Sequence, residues 1–238
     1  MDYESDAAVS EYLLMHYGSD EERMPWSVGR MSAIDFPAVT VNYFTQKRVD
    51  LSLDLGCSVG GSSFQLSKTS KKVIGIDLSK KFIDAANAMK ANGHINYKYQ
   101  EDGSVYADGE ATLSSGVKPE VISFAVGDVL RLPDGFKDFD RVHASNLLCR
   151  VPDPEKLLNR LSSLVKKDGE LVLATPFSWL EEYTPKENWP KGDSWTWLQN
   201  QLSDDFVCLQ HADETFTMRE HLRKFQLGVS KVSKWRRK

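Results

Sequence analysis

The stretch Leu51-Ser52-Leu53-Asp54-Leu55, followed at once by Gly56-Cys57-Ser58-Val59-Gly60-Gly61, constrains the fold of this chain more than any other feature. Alternating apolar residues make a strand, and three glycines within six positions force a tight turn. Residues 62–70 then read as a helix. A strand that ends in a glycine turn and re-enters a helix is the opening unit of a parallel α/β sheet. The next unit repeats it. Val73-Ile74-Gly75-Ile76 is a buried strand ending at Asp77, and Ser79 caps a helix to about residue 92, with Phe82, Ile83, Ala86 and Met89 on one face. Residues 121–126, 139–144 and 169–174 supply the third, fourth and fifth strands. The expected fold is an α/β Rossmann-like sheet with helices on both faces, within a single domain spanning 1–238.

Residues 1–50 read as an N-terminal helical cap, with residues 51–238 as the core. Residues 7–17 place Val9, Tyr12, Leu13 and His16 at helical spacing, a Gly/Pro-punctuated loop follows, and a second helix is expected near 36–46. Between 97 and 119, the turn signals Asp102-Gly103 and Asp108-Gly109 predict a small β-hairpin insertion. The basic run Lys231 to Lys238 reads as a solvated end.

Charge and cysteine usage narrow the function classes. A formal charge of −4 offers no general attraction for nucleic acid or an anionic membrane. No apolar run approaches the ~18 residues of a bilayer span, and the acidic start Met1-Asp2-Tyr3-Glu4 lacks the basic region of a signal peptide, so a cytoplasmic protein is expected. Cys57, Cys149 and Cys208 lack CxxC spacing and the five histidines are scattered, which predicts free thiols and no metal.

Ligands of open parallel sheets bind beyond the carboxyl ends of the strands. There the chain sets Asp54, Gly56, Cys57 and Gly60 after the first strand, Asp77 and Leu78 after the second, Asp128 and Val129 after the third, and Asn146 after the fourth. The glycines do not follow the G-x-G-x-x-G spacing of dinucleotide sites, and a carboxylate at 54 would repel a pyrophosphate. It suits a ligand with an ammonium group, such as the methionine part of S-adenosylmethionine. Asp77 would accept from ribose hydroxyls and Asp128 from an adenine amino group, with Val129 offering an N–H and an apolar contact. Any one of these aspartates taken alone is more commonly a turn former or helix cap.

At these residues the chain resembles the class I S-adenosylmethionine-dependent methyltransferases, whose first motif matches residues 53–60, second Ile74-Gly75-Ile76-Asp77 and third Gly127-Asp128. Ser58 stands where many members carry glycine. A longer resemblance, to the 5-thiohistidine (4-mercaptohistidine) N-methyltransferases of ovothiol biosynthesis, runs through residues 12–18, 144–154, 179–189 and 219–226. It implies a class I methyltransferase sheet, S-adenosylmethionine as methyl donor, methylation of the imidazole Nπ of 5-thiohistidine, and a functional association with a sulfoxide synthase. The acceptor pocket is expected from Asn146, Tyr17 and Trp179 at the reaction centre, with Arg150, Glu181, Tyr183, Trp189 and Arg219 around the substrate. His16, Arg30, Glu182, Lys186, Phe216 and His221 are secondary candidates. Methylation of another small amine, thiol or carboxylate, a non-catalytic donor-binding role, and a nicotinamide-dependent oxidoreductase are the competing readings.

Overall fold

A computed structural model describes residues 2–24 and 35–238; Arg30 lies outside them. Seven strands, β1 (Val49–Leu55), β2 (Ser70–Asp77), β5 (Ile122–Val126), β6 (Phe139–Ser145), β7 (Val165–Thr175), β8 (Phe206–His221) and β9 (Lys224–Arg237), form one sheet in the order β5-β2-β1-β6-β7-β9-β8. The first five are parallel, and β9 inserts antiparallel between β7 and β8. Strand order reverses between β1 and β6, so a crevice opens above their carboxyl ends.

Helices cover both faces. On one, α3 (Phe36–Val41), α4 (Gly61–Ser67) and α5 (Lys80–Asn92) pack with α1 (Asp6–Tyr17), which the short α2 (Asp20–Arg23) follows, into a core containing Phe64, Phe82 and Met89. On the other, α6 (Pro154–Leu164) and α7 (Ser194–Leu202) bury Leu157, Leu161, Leu198 and Leu202 against Val142, Leu171 and Trp235. Local chemistry sets the boundaries of α5. Ser79 Oγ accepts from the Phe82 N–H at the start, and Gly93, at φ +77°, ends the helix in the left-handed region that favours glycine. None of the described helices is long and apolar enough to cross a membrane.

The cap and insertion depart from expectation in instructive places. The second cap helix stops at Val41 rather than near 46 and is followed by a turn. In the insertion, β3 (His94–Asp102) pairs with β4 (Val105–Thr112) around Asp102-Gly103, whereas Asp108-Gly109 lies inside β4. Gly109 is there for space: a Cβ would stand 2.7 Å from the Tyr97 ring. The largest correction concerns the basic end. Residues 231–237 belong to β9, with Trp235 only 2% exposed and paired to Leu171, and Lys234 is itself buried, its ammonium paired with Glu170. Beyond Thr175 and its β9 partner Lys231, the β8–β9 hairpin leaves the sheet and overhangs its carboxyl edge, meeting the cap and β3.

Candidate active site

The glycine turn carries the most strained backbone in the crevice. Gly56 and Gly60 adopt φ +68° and +91°, and Ser58 adopts +51°, a region costly for a residue with a Cβ. A Cβ on Gly60 would lie 2.8 Å from Phe124, which leaves no other side chain room. Asn146 at the end of β6 and Phe177 after β7 also have positive φ, at +54° and +50°. Left-handed residues therefore collect at the carboxyl ends of β1, β6 and β7, as expected where backbone is shaped around a ligand.

Asp77 braces this turn. Its carboxylate accepts from the Ser58 N–H and the Ser79 N–H, both at 2.9 Å, tying the glycine turn to the start of α5. Burial nevertheless pushes its carboxyl above the ordinary range, against the lowering effect of those N–H groups. Each oxygen keeps a lone pair free in direction for a further donor. Next to it, Leu78 is 73% exposed, and Val126 at the end of β5 is exposed as well. Two bare apolar side chains flanking a glycine turn suit the faces of a flat ring. Ser58 Oγ is buried without a hydrogen-bond partner, an orphan polar atom in the same turn.

A family model described as a methyltransferase domain matches residues 53–173. The chain belongs to that family. That family is the class I S-adenosylmethionine-dependent methyltransferases, and the glycine turn with Asp77 and Leu78 fits the methyl donor of the family. Among curated proteins, this chain is 27% identical to a ubiquinone biosynthesis O-methyltransferase of Coxiella burnetii, over 52% of this chain and 42% of that protein. It is 25% identical to a sterol 24-C-methyltransferase of Kluyveromyces lactis, over 53% and 28%. Each match thus spans less than half the length of these relatives. In fold, it is similar to the N-methyltransferase NodS of Bradyrhizobium japonicum (TM-score 0.56, 14% identity, 84% of this chain and 93% of that one). A methyltransferase of Methanosarcina mazei gives TM-score 0.55 at 19% identity, covering 83% and 96%.

Several residues expected in the donor and acceptor sites take other positions. Asp54 is only 1% exposed and does not present itself to a ligand ammonium: Ser63 Oγ donates to one carboxylate oxygen at 2.6 Å, and His143 Nδ1 stands 2.8 Å from the other. Asp128 stays at the carboxyl end of β5 with its side chain partly exposed, caps a short 3-10 turn through the Leu130 N–H and pairs with Arg131, while the Val129 side chain is buried in the core. Cys57 is buried, and desolvation holds its thiol well above the usual range, which removes it as a nucleophile. Tyr17 donates its hydroxyl proton to the Val59 carbonyl at 2.8 Å, and burial keeps it protonated. It pins α1 to the glycine turn instead of serving as a base.

The acceptor candidates separate likewise. Trp179 donates its indole N–H to Ser194 Oγ and packs edge-on against Trp197 of α7, so it is a packing residue rather than a reaction-centre group. Trp189 donates to the Thr184 carbonyl, and Thr184 to that of Val151, fastening the loop to the chain after β6. Glu181 pairs with Lys186 on the exposed surface. Arg219, 4% exposed, donates to the Glu22 carbonyl and stacks on Tyr99, which ties the hairpin to the cap and withdraws it from any substrate carboxylate. Phe216 packs on Phe36, and His221 sits at the distal hairpin turn. His16 presses on Gly61, and its burial beside Arg23 lowers its pKa to about 3.

The structure does bring Arg150 and Tyr183 together, with the guanidinium 5.0 Å from the ring centroid. Tyr3 joins them. Its ring lies 6.0 Å from Tyr183 and 5.8 Å from Phe82, and its carbonyl accepts from Ser79 Oγ. Tyr3 therefore bridges from the end of β2 to the loop after β7, where Tyr183 meets Arg150 of the segment after β6. Sequence reasoning missed Tyr3, because nothing local marks a residue whose role depends on crossing the crevice. Asn146 lies below, its Oδ1 accepting from Ser230 of β9 at 2.7 Å.

Proposed function

We propose that this methyltransferase transfers the methyl group of S-adenosylmethionine to a ring nitrogen of a small amino-acid acceptor, the Nπ of 5-thiohistidine, yielding ovothiol A. The observation that carries the reading is the strap of Tyr3, Tyr183 and Arg150 across the crevice. Tyrosine rings suit a flat heterocycle, and a guanidinium suits a carboxylate. With the overhanging β8–β9 hairpin and α1 on the same side, the acceptor is small. The O-methyltransferase relatives match about half of this chain and less than half of their own length, so their acceptors do not carry over.

Methyl transfer is an in-line displacement, so alignment supplies much of the acceleration. An imidazole nitrogen attacks with its own lone pair and requires no base. That agrees with a crevice where Tyr17 has committed its proton and His16 faces Gly61. The competing nucleophile is the acceptor's sulfur, so holding the ring with nitrogen toward the methyl is the main task.

Mass spectrometry of reactions with S-adenosylmethionine and 5-thiohistidine, histidine or a catechol is the test. Ring-nitrogen methylation confined to the thiolated acceptor is expected. Methylated catechol with no product from 5-thiohistidine would replace this reading with O-methylation.

A further inference from the structure

The short segment after β6 runs from the glycine turn to the strap. Leu147 covers Gly56, where an added Cβ would stand 3.0 Å from the leucine Cδ1, and Arg150 reaches Tyr183. Asn146 opens that segment. Its backbone N–H donates to the Ala174 carbonyl at 2.8 Å, and its φ of +54° is one that asparagine tolerates better than most residues. That tolerance accounts for an asparagine at 146. It does not account for the partner of its side chain, Ser230, 84 positions away.

Ser230 reaches Asn146 over the end of β7. Asn146 follows the last β6–β7 pair, Ser145 with Ala174, and Ser230 lies one residue beyond the last β7–β9 pair, Thr175 with Lys231. The serine is 0% exposed, and its hydroxyl donates to Asn146 Oδ1 at 2.7 Å. A buried hydroxyl needs such a partner, so the overhanging hairpin fixes which way the carboxamide faces. The amide is planar, and its oxygen turned to the hairpin leaves its NH2 turned to the crevice. Asn146 is only partly buried, and among the described residues nothing accepts from its two amide N–H bonds.

We propose that Ser230 is a positioning residue for Asn146, whose NH2 donates to the acceptor's sulfur, so that the ring nitrogen and not the sulfur receives the methyl. This deepens the acceptor reading above and rests on it. A thiolate held by N–H donors has its lone pairs engaged and its position fixed away from the methyl, which leaves the ring nitrogen in line. The nitrogen lone pair forms the bond to the methyl carbon as the bond from that carbon to the sulfonium breaks, and the released pair stays on the donor sulfur. The ring gains a positive charge that its own thiolate balances, so no proton has to leave.

The test is the ratio of N-methylated to S-methylated product from 5-thiohistidine, located by fragmentation in the mass spectrometer, with KM, kcat and calorimetric donor affinity measured alongside. Ser230→Ala should raise the acceptor KM on the order of fivefold and yield S-methylated product that wild type lacks, with donor affinity unchanged. Ser230→Thr keeps the hydroxyl and should restore the wild-type ratio. Asn146→Asp still accepts from Ser230 but presents a carboxylate oxygen in place of the NH2, so it should raise the acceptor KM further than Ser230→Ala does. Should Ser230→Ala fail to fold, Asn146→Asp carries the comparison. An unchanged product ratio in Ser230→Ala, a Ser230→Thr variant as altered as Ser230→Ala, a wild-type KM in Asn146→Asp, or donor affinity falling as far as acceptor affinity would overturn the inference and leave the bond a tie between hairpin and sheet. Wild type that binds the donor yet makes no product from 5-thiohistidine would remove the acceptor reading, and this inference with it.

Discussion

The two ends of the sheet are built on opposite principles. At the amino end, a cavity of about 280 Å³ is lined by Lys137, Arg160, Lys166, Lys167 and Arg237, a larger opening than the roughly 120 Å³ cavity beneath His16 and Tyr17. Yet its arginines are spent on the Pro133, Phe136, Ser162 and Asp205 carbonyls, and Lys166 pairs with Asp140. Left-handed residues there, Asp138 and Asp168, are of a type that tolerates the conformation. At the carboxyl end, Ser58 and Phe177 hold the same conformation without that tolerance, Leu78 is bare, and Ser58 Oγ has no partner. Size and charge therefore mislead at one end, while strain and unsatisfied groups mark function at the other.

The largest effect should come from filling the glycine turn. Gly60→Ala adds a Cβ against Phe124 at φ +91°, and donor affinity measured by calorimetry is expected to fall beyond about a hundredfold, with ~1–3 kcal/mol lost in stability. An unchanged affinity would break the contrast between the two ends.

Next is Asp77. Its Asn variant should bind S-adenosylmethionine about tenfold more weakly near neutral pH. Because burial raises the carboxyl above its ordinary 3.8, wild-type donor affinity should fall on acidification before an ordinary carboxylate titrates, and the variant's profile should be flat there. The stability sign is opposite. A raised folded pKa contributes stability that is full below the unfolded pKa and lost as pH rises through the folded one, so at Asp77 acid favours the fold while weakening the site. Parallel Tm and affinity profiles moving in one direction would contradict this.

The smallest effects sharpen the comparison. Leu78→Ser should weaken the donor only a few-fold with Tm unchanged, as its side chain is already in water. Lys167→Ser at the amino end should alter neither quantity; weakened donor binding there would mean that the basic cavity communicates with the site.

Much of this was legible in the residues themselves. The strand, glycine turn and helix at 49–67, the five parallel strands, the Ser79 cap and the Asp102-Gly103 hairpin all follow from local periodicity and turn chemistry, which act between residues a few positions apart. So did the placement of Asp77 and Leu78 at a strand end. Tertiary structure decided what depends on residues distant in sequence. It made Lys231 to Arg237 an inner strand, since Val232 to Trp235, Lys234 included, can be buried only once β7 and β8 flank them. It turned Asp54 from a ligand contact into the partner of His143, 89 positions away, and carried Tyr3 across the crevice to Tyr183. Short-range rules set the elements of this chain; long-range packing chose which polar groups were spent inside the protein and which remained for a ligand.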